Sequence, residues 1–319
     1  MSAPRRSRRV STRLLFAVFL VLAAAAALGA AGCGARRSAP TGGALEAVAT
    51  ESFLADIAQN VAGDRFTVRT LIPPGADPHS FEPTPKDIGE VVAADLVIVN
   101  GGGLEGPLLD TIQSAGGSAT IADASAGLKS RTPQPGEPPL AAGQTDPHFW
   151  LDPTLVETYV ANIREAFVKA DPAGVAAYEA NAAAYTAKLR RLDAWIKAQV
   201  TQIPPADRKL VMNHASHGYF ADRYGLQVIG TVIPSVGTSE SPTAQQLGDL
   251  TAAIRGSAAK AIFVEVDENP QLARQIAAET GITVVDDLLD HSLTRAGGAA
   301  ATYIDMMKYD TRRIVEALK

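Results

Sequence analysis

The stretch "DPAGVAAYEANAAAYTAKLRRLDAWIKAQVTQI" occupies residues 171–203. After Gly174 it contains no helix breaker for roughly 30 residues, on the order of 45 Å of α-helix. Tyr178, Tyr185, Leu189, Leu192 and Ile196 recur on one helical face. Helices of globular domains usually end within about 20 residues. The segment therefore reads as a spine, and the fold depends on what lies to either side of it.

Upstream, short apolar runs alternate with helical patterns. "LEAVA" (45–49), "FTVRTLI" (66–72), "ADLVIVN" (94–100) and "SATIAD" (118–123) are strand-like. Phe53, Ile57 and Val61 mark a helix ended by Gly63, and further helices fit 84–93 and 105–114. Residues 124–147 carry four prolines between Pro133 and Pro139 and read as a long loop. A helix is expected over 152–170, with Asp152 as N-cap and Pro153 at its first position. Downstream, "KLVMN" (209–213), "LQVIG" (226–230), "AKAIFVEV" (259–266) and "GITVVDD" (281–287) repeat the pattern. Helices fit 216–224, 243–256, 269–280 and 300–319. Strands alternating with helices predict parallel βαβ units. The expected fold is α/β, with two pseudo-symmetric lobes, each a small, mostly parallel sheet with helices, joined by one long helix. The expected division is an N-terminal lobe over 45–170, the linking helix over 171–203 and a C-terminal lobe over 204–319.

Residues 1–32 read differently. Arg5, Arg6, Arg8, Arg9 and Arg13 precede an apolar run from Leu14 to Leu28 and then small residues, the pattern of a secretory signal. The run is short for a membrane span. Cys33 is the only cysteine, so no intramolecular disulfide can form. Its position after "GAAG" resembles a bacterial lipobox, which implies a lipidated thiol anchoring the chain to the outer face of the cell membrane. The alternative is an ordinary cleaved signal with Cys33 incidental. Residues 33–44 would form a lipidated cysteine and flexible tether. Without residues 1–32, 24 basic side chains face 34 acidic ones, a net charge of −10 over 287 residues. Such a body is a poor binder of nucleic-acid phosphates and favours cationic ligands.

The chain has five histidines. His79 and His148 each follow Asp-Pro, His214 closes "KLVMNH", and His291 follows "ITVVDDLLD". All four lie beyond strands, two in each half, and open α/β sheets bind ligands outside the carboxyl ends of their strands. A cleft between lobes would gather four imidazoles, a donor set suited to zinc. Asp77 and Asp146 are placed to accept from imidazole N–H groups. The bland reading is that these are turn residues, since Asp152-Pro153 and Asp171-Pro172 use Asp-Pro as helix starts. His217 reads as an exposed helix residue in preference to a ligand.

"PPGADPHSFEPTPKDI" (73–88), "DPHFWLDP" (146–153), "NHASHGYFADRYGL" (213–226), "SPTAQQL" (241–247), "IFVEVDENPQLARQIAAETG" (262–281) and "TYIDMMKYD" (302–310) resemble the zinc/manganese solute-binding proteins of bacterial ABC transporters. The resemblance spans about 45–319. It implies two lobes on a rigid helix and metal ligands at His79, His148 and His214, the last favouring zinc over manganese. Relatives often carry an aromatic residue at the position of His217. The family's fourth ligand is an aspartate in an Asp-Ser-Leu triplet. Here "LLDHSLT" (288–294) places His291 at that position, with Asp290 beside it as the alternative. The implied function is extracytoplasmic capture of Zn²⁺, or alternatively Mn²⁺, by a monomer that delivers it to a membrane permease. Bound metal would bridge the lobes and order loop 124–147. A secreted zinc hydrolase is the main rival, with Glu82 or Glu265 as base. It would require an open metal position that four protein ligands do not leave, and no H-E-x-x-H motif occurs. An adhesin-like surface lipoprotein has nothing in its favour beyond exposure.

Overall fold

The computed structural model describes residues 45–319, and Ala44–Lys319 make one compact unit. The predicted signal, Cys33 and the tether lie outside the described residues. Two four-stranded sheets are present. The first holds β1 (Ala47–Ala49), β2 (Val68–Thr70), β3 (Leu96–Val99) and β4 (Thr120–Asp123) in the order β2-β1-β3-β4. The second holds β5 (Lys209–Met212), β6 (Gln227–Thr231), β7 (Ala261–Glu265) and β8 (Thr283–Leu288) in the order β6-β5-β7-β8. The two orders are the same permutation, and every pairing is parallel. The central strands β3 and β7 are buried along their whole length, which accounts for their unbroken apolar sequences.

Crossover helices complete each unit: α1 (Ser52–Ala62), α2 (Pro85–Ala93) and α3 (Gly106–Ser114) in the first, then α4 (Val156–Ala170) leading to the spine. The spine, α5, is a continuous helix over Val175–Val200, 26 residues and so about 39 Å long. Helices α6 (Gly218–Tyr224), α7 (Ala244–Ser257), α8 (Gln271–Thr280) and α9 (Tyr303–Leu318) follow. Among the described residues no helix is long and apolar enough to cross a membrane.

Two helix starts differ from expectation. The helix predicted from Asp152 begins at Val156. Asp152 instead accepts from the backbone N–H and hydroxyl of Thr154, at 2.8 and 2.7 Å, closing a turn before the helix. An aspartate side chain satisfies the nearest free donors, which here belong to that turn. The spine starts after a 3₁₀ turn at Pro172–Gly174. Gly174 is required there by close approach, because a Cβ would lie 2.4 Å from the Tyr178 ring. Tyr178 and Arg65 both donate to Asp171, at 2.6 and 2.8 Å, and fasten that corner.

The spine buries Tyr178, Ala182, Tyr185, Leu189, Leu192, Ile196 and Val200. Their spacing of three and four residues forms one stripe. It packs on α1 and α4 and also on α9, which returns from the second sheet. One continuous apolar cluster therefore runs from Ala47 and Ile98 of the first sheet, through the spine, to Leu210 and Phe263 of the second. This arrangement resists wide hinge opening, since separating the sheets would expose part of a shared core. At the start of α9 the Tyr303 N–H donates to Asp56 on α1 at 3.0 Å, and the Tyr303 hydroxyl donates to the Trp150 carbonyl at 2.6 Å.

Burial raises the Asp56 carboxyl from 3.8 to about 6. Folding therefore binds its proton more tightly. The resulting stabilisation is full below about pH 4 and is lost as pH rises through 6, at most about 3 kcal/mol. In urea denaturation at pH 4.5 and 7.5, wild type is expected to lose stability relative to Asp56→Asn by roughly 2 kcal/mol. A pH-independent difference between the two proteins would refute the linkage.

Candidate metal centre

The local conformations that carry the four histidines differ. His79 sits in the loop after β2, where Asp77 accepts from its backbone N–H at 2.8 Å and from the Ser80 and Thr238 hydroxyls at 2.7 and 2.6 Å. Thr238 follows β6, so this turn is tied to the second sheet's loops. His148 precedes a 3₁₀ turn at Phe149–Leu151, whose aromatic rings enter the core. His214 lies two residues after β5 and His291 three after β8.

These positions bring the four rings together. Ring centroids are 5.3 Å apart for His79–His148, 5.4 Å for His79–His214, 5.3 Å for His148–His214, and 5.9 Å from His291 to both His79 and His214. His148 Nε2 stands 3.3 Å from His79 Nε2 and 3.4 Å from His214 Nε2. His148, His214 and His291 are buried. His79 alone reaches a cleft of about 460 Å³, bordered by Gly102, Gln144, Ser235 and Gly237. Access from solvent to the cluster therefore passes His79.

Three of the four rings have a carboxylate against Nδ1. Asp146 Oδ1 is 2.9 Å from His148, Glu265 Oε1 is 3.2 Å from His214, and Asp267 Oδ2 is 3.0 Å from His291. Each contact turns Nδ1 toward a carboxylate, the ring orientation found in carboxylate–histidine–metal triads. Of the two aspartates expected to act in this way, Asp146 does, whereas Asp77 braces backbone and hydroxyls. Asp267 was not anticipated; the sequence signal for it is the acid run "EVDEN" (265–269) at the carboxyl end of a buried strand.

Charges follow burial and partners. Burial, reinforced by the neighbouring histidines, pushes His79 and His148 well below the usual imidazole range. Burial also opposes charge on His214 and His291, but the Glu265 carboxylate outweighs it at His214. At His291 the carboxylates of Asp267, Asp290 and Glu265 raise the ring to about 10. The first-sheet imidazoles are thus neutral donors, while the second-sheet ones sit in a negative field that attracts a cation.

His217 departs from expectation. It is 1% exposed, directly before α6, because the tight turn after β5 folds it inward beside Phe220. Glu82 is exposed. Glu265 is buried against His214 and Ser216.

Residues 47–317 match the family described as the zinc-uptake complex component A, periplasmic. The manganese-binding lipoprotein MntA of Halalkalibacterium halodurans is 33% identical over 92% of this chain and 95% of its own. This chain belongs to that family of metal-transporter solute-binding proteins. The iron-binding protein YfeA of Yersinia pestis is 31% identical over 91% of this chain and 92% of its own. The periplasmic zinc-binding protein TroA of Treponema pallidum superposes with a TM-score of 0.79 at 26% identity, covering 87% of this chain and 99% of its own. The relatives' names thus divide between manganese, iron and zinc, and the family's two-lobed α/β fold is the one described above.

Loop 124–147 forms a strap fastened within itself and to the second lobe. Arg131 is buried and meets Glu137 at 2.7 Å, Asp222 of α6 at 2.7 Å and Asp146 at 3.5 Å. Gln134 donates to Asp222 at 2.8 Å and accepts from Val228 N–H on edge strand β6 at 3.0 Å. Gly136 lies so close to that strand that a Cβ would stand 2.1 Å from the Val228 carbonyl. The strap thereby caps the free donors of an edge strand and steadies the carboxylate that orients His148. Arg131→Met would leave buried carboxylates uncompensated, at a cost of about 3 kcal/mol. The expected result is a lower melting temperature and faster protease cleavage within 124–147. Unchanged cleavage would mean that Arg131 does not hold the strap.

Proposed function

We propose that this protein captures Zn²⁺ outside the cytoplasm, in a site formed by His79, His148, His214 and His291, and delivers it to an ABC-type permease. The observation that carries this reading is the convergence of four imidazoles, three of them with a carboxylate against Nδ1. Imidazole nitrogen suits zinc, and manganese prefers oxygen. Four protein donors complete a tetrahedral shell and leave no position for an activated water, which supports carriage over hydrolysis. The chain acts at the outer face of the membrane as a lipoprotein, with Cys33 as the proposed anchor.

Delivery requires release, and the structure suits modest motion. Two ligands come from each sheet's loops, so the metal joins the lobes, while the shared core behind it limits how far they part. Opening at the cleft beside His79 would uncover the least buried ligand first.

A second reading, Mn²⁺ held through Asp290, has an observation in its favour: Asp290, His214 and His291 offer donor atoms within 4.8 Å of one another. Competitive titration of Zn²⁺ and Mn²⁺ separates the two. Under the four-histidine reading His291→Ala lowers zinc affinity by roughly a hundredfold or more, since even supporting residues cost 10–100-fold, and Asp290→Ala costs far less. Unchanged zinc affinity in His291→Ala would sink the four-histidine set.

A further inference from the structure

Beside the four-imidazole cluster lies a second group of donors that the proposed site does not use. His217, Glu265 and Asp290 present ligand atoms within 4.8 Å of one another, and all three residues are buried. Both carboxylate oxygens of Asp290 and Oε2 of Glu265 have no hydrogen-bond partner. Asp290 is fully buried and Glu265 is 1% exposed. A buried carboxylate without partners is costly, and two side by side are more costly still. The nearest cationic group to Asp290 is His291 Nε2, 3.9 Å from Oδ2, beyond hydrogen-bond distance.

The backbone is committed to this arrangement. Asp290 has φ +42°, a left-handed conformation that costs a non-glycine residue of order 1 kcal/mol. It is clamped there: its N–H donates to Asp310 at 3.0 Å, and its carbonyl accepts from the Trp150 indole at 3.0 Å. The clamp satisfies the backbone and leaves the side chain directed into the cluster. The imidazole is prepared as well. Ser216 Oγ lies 2.8 Å from His217 Nδ1 and 3.3 Å from Glu265 Oε1. A hydroxyl that donates to the carboxylate accepts from Nδ1–H, which makes Nε2 the unprotonated, ligating nitrogen. Glu265 then has two distinct roles: Oε1 serves His214, and Oε2 is left for a cation.

We propose that His217 Nε2, Glu265 Oε2 and Asp290 form a second cation site next to the four-imidazole cluster, taking a divalent first-row metal ion between manganese and zinc. One imidazole and two carboxylates form a mixed nitrogen–oxygen set suited to that range and unsuited to soft monovalent copper. The two sites share a wall, because Glu265 and His214 touch, so they would load as neighbours.

The test is metal stoichiometry on the full-length protein, by equilibrium dialysis against Zn²⁺ alone and Mn²⁺ alone followed by elemental analysis. Wild type is expected to retain two equivalents at saturation. His217→Phe, which keeps an aromatic ring beside Phe220, is expected to retain one, with the tighter equivalent unchanged. Co²⁺ absorption provides a readout independent of that variant's folding: wild type should titrate in two spectrally distinct steps. A single equivalent in wild type, or a second equivalent that persists in folded His217→Phe, overturns the second site. Absence of any bound metal would instead overturn the primary reading, so the two failures are distinguishable.

Discussion

Imidazoles packed ring to ring inside a protein repel one another as soon as two of them carry protons, and each buried charge also pays for its lost water. The structure around the cluster is organised by this constraint. The rings from the first sheet's loops are kept neutral by burial. Those from the second sheet are surrounded by Glu265, Asp267 and Asp290. The cluster is therefore asymmetric: neutral donors on one side and a pocket of negative charge on the other. A divalent cation placed there would satisfy both sides at once, by using the lone pairs of the first and neutralising the field of the second. A purely hydrophobic wall would bury the same rings but would offer a cation no electrostatic gain.

The fold supplies the asymmetric walls from symmetric parts. Both sheets have the same strand permutation, with the first strand of each unit, β1 or β5, beside the third, β3 or β7. Helices leave on opposite faces at that point, which opens a crevice at the carboxyl ends. Two residues past β5 stands His214. Two residues past β1 stands Glu51, where the first lobe does something else. Thr50 Oγ1 lies 2.8 Å from both Glu51 and Glu105, and one hydroxyl proton cannot serve two carboxylates. Burial, with the Glu105 charge added, raises Glu51 well above the usual range, which favours its protonated form beside Glu105. The Asn100 amide beside it holds the Pro147 carbonyl at 3.0 Å, directly before His148. In one lobe the switch point presents His214 to the cluster, and in the other it braces the loop that carries His148.

Much of this was legible in the amino-acid order. All eight strands and the spine follow from short apolar runs and breakers; the clearest are the buried central strands β3 and β7, and the spine's stripe repeats every three or four residues. The four histidines were found by their position after strands. What stayed hidden depends on tertiary partners. Asp152 looked like a helix cap because only the turn geometry reveals that Thr154 takes its oxygen first. His217 looked exposed because its place at a predicted helix start names no buried partner, whereas the fold packs it inside near Glu265 and Asp290. Arg131 lay in a proline-rich loop with no periodicity, and its three carboxylate partners are separated from it by 6, 15 and 91 positions.

The ambiguity at "LLDHSLT" also changes character once the backbone is known. One sequence position cannot hold two ligands, so Asp290 and His291 first read as alternatives. In the fold both border the cluster. His291 turns Nδ1 to Asp267 at 3.0 Å and keeps Nε2 3.9 Å from Asp290 Oδ2. Asp290, held in a left-handed conformation by Asp310 and Trp150, offers a donor atom within 4.8 Å of those of His214 and His291 and also of those of His217 and Glu265. The strained backbone therefore places this carboxylate on the wall between two donor groups, which is why its position in the sequence could not assign it to either.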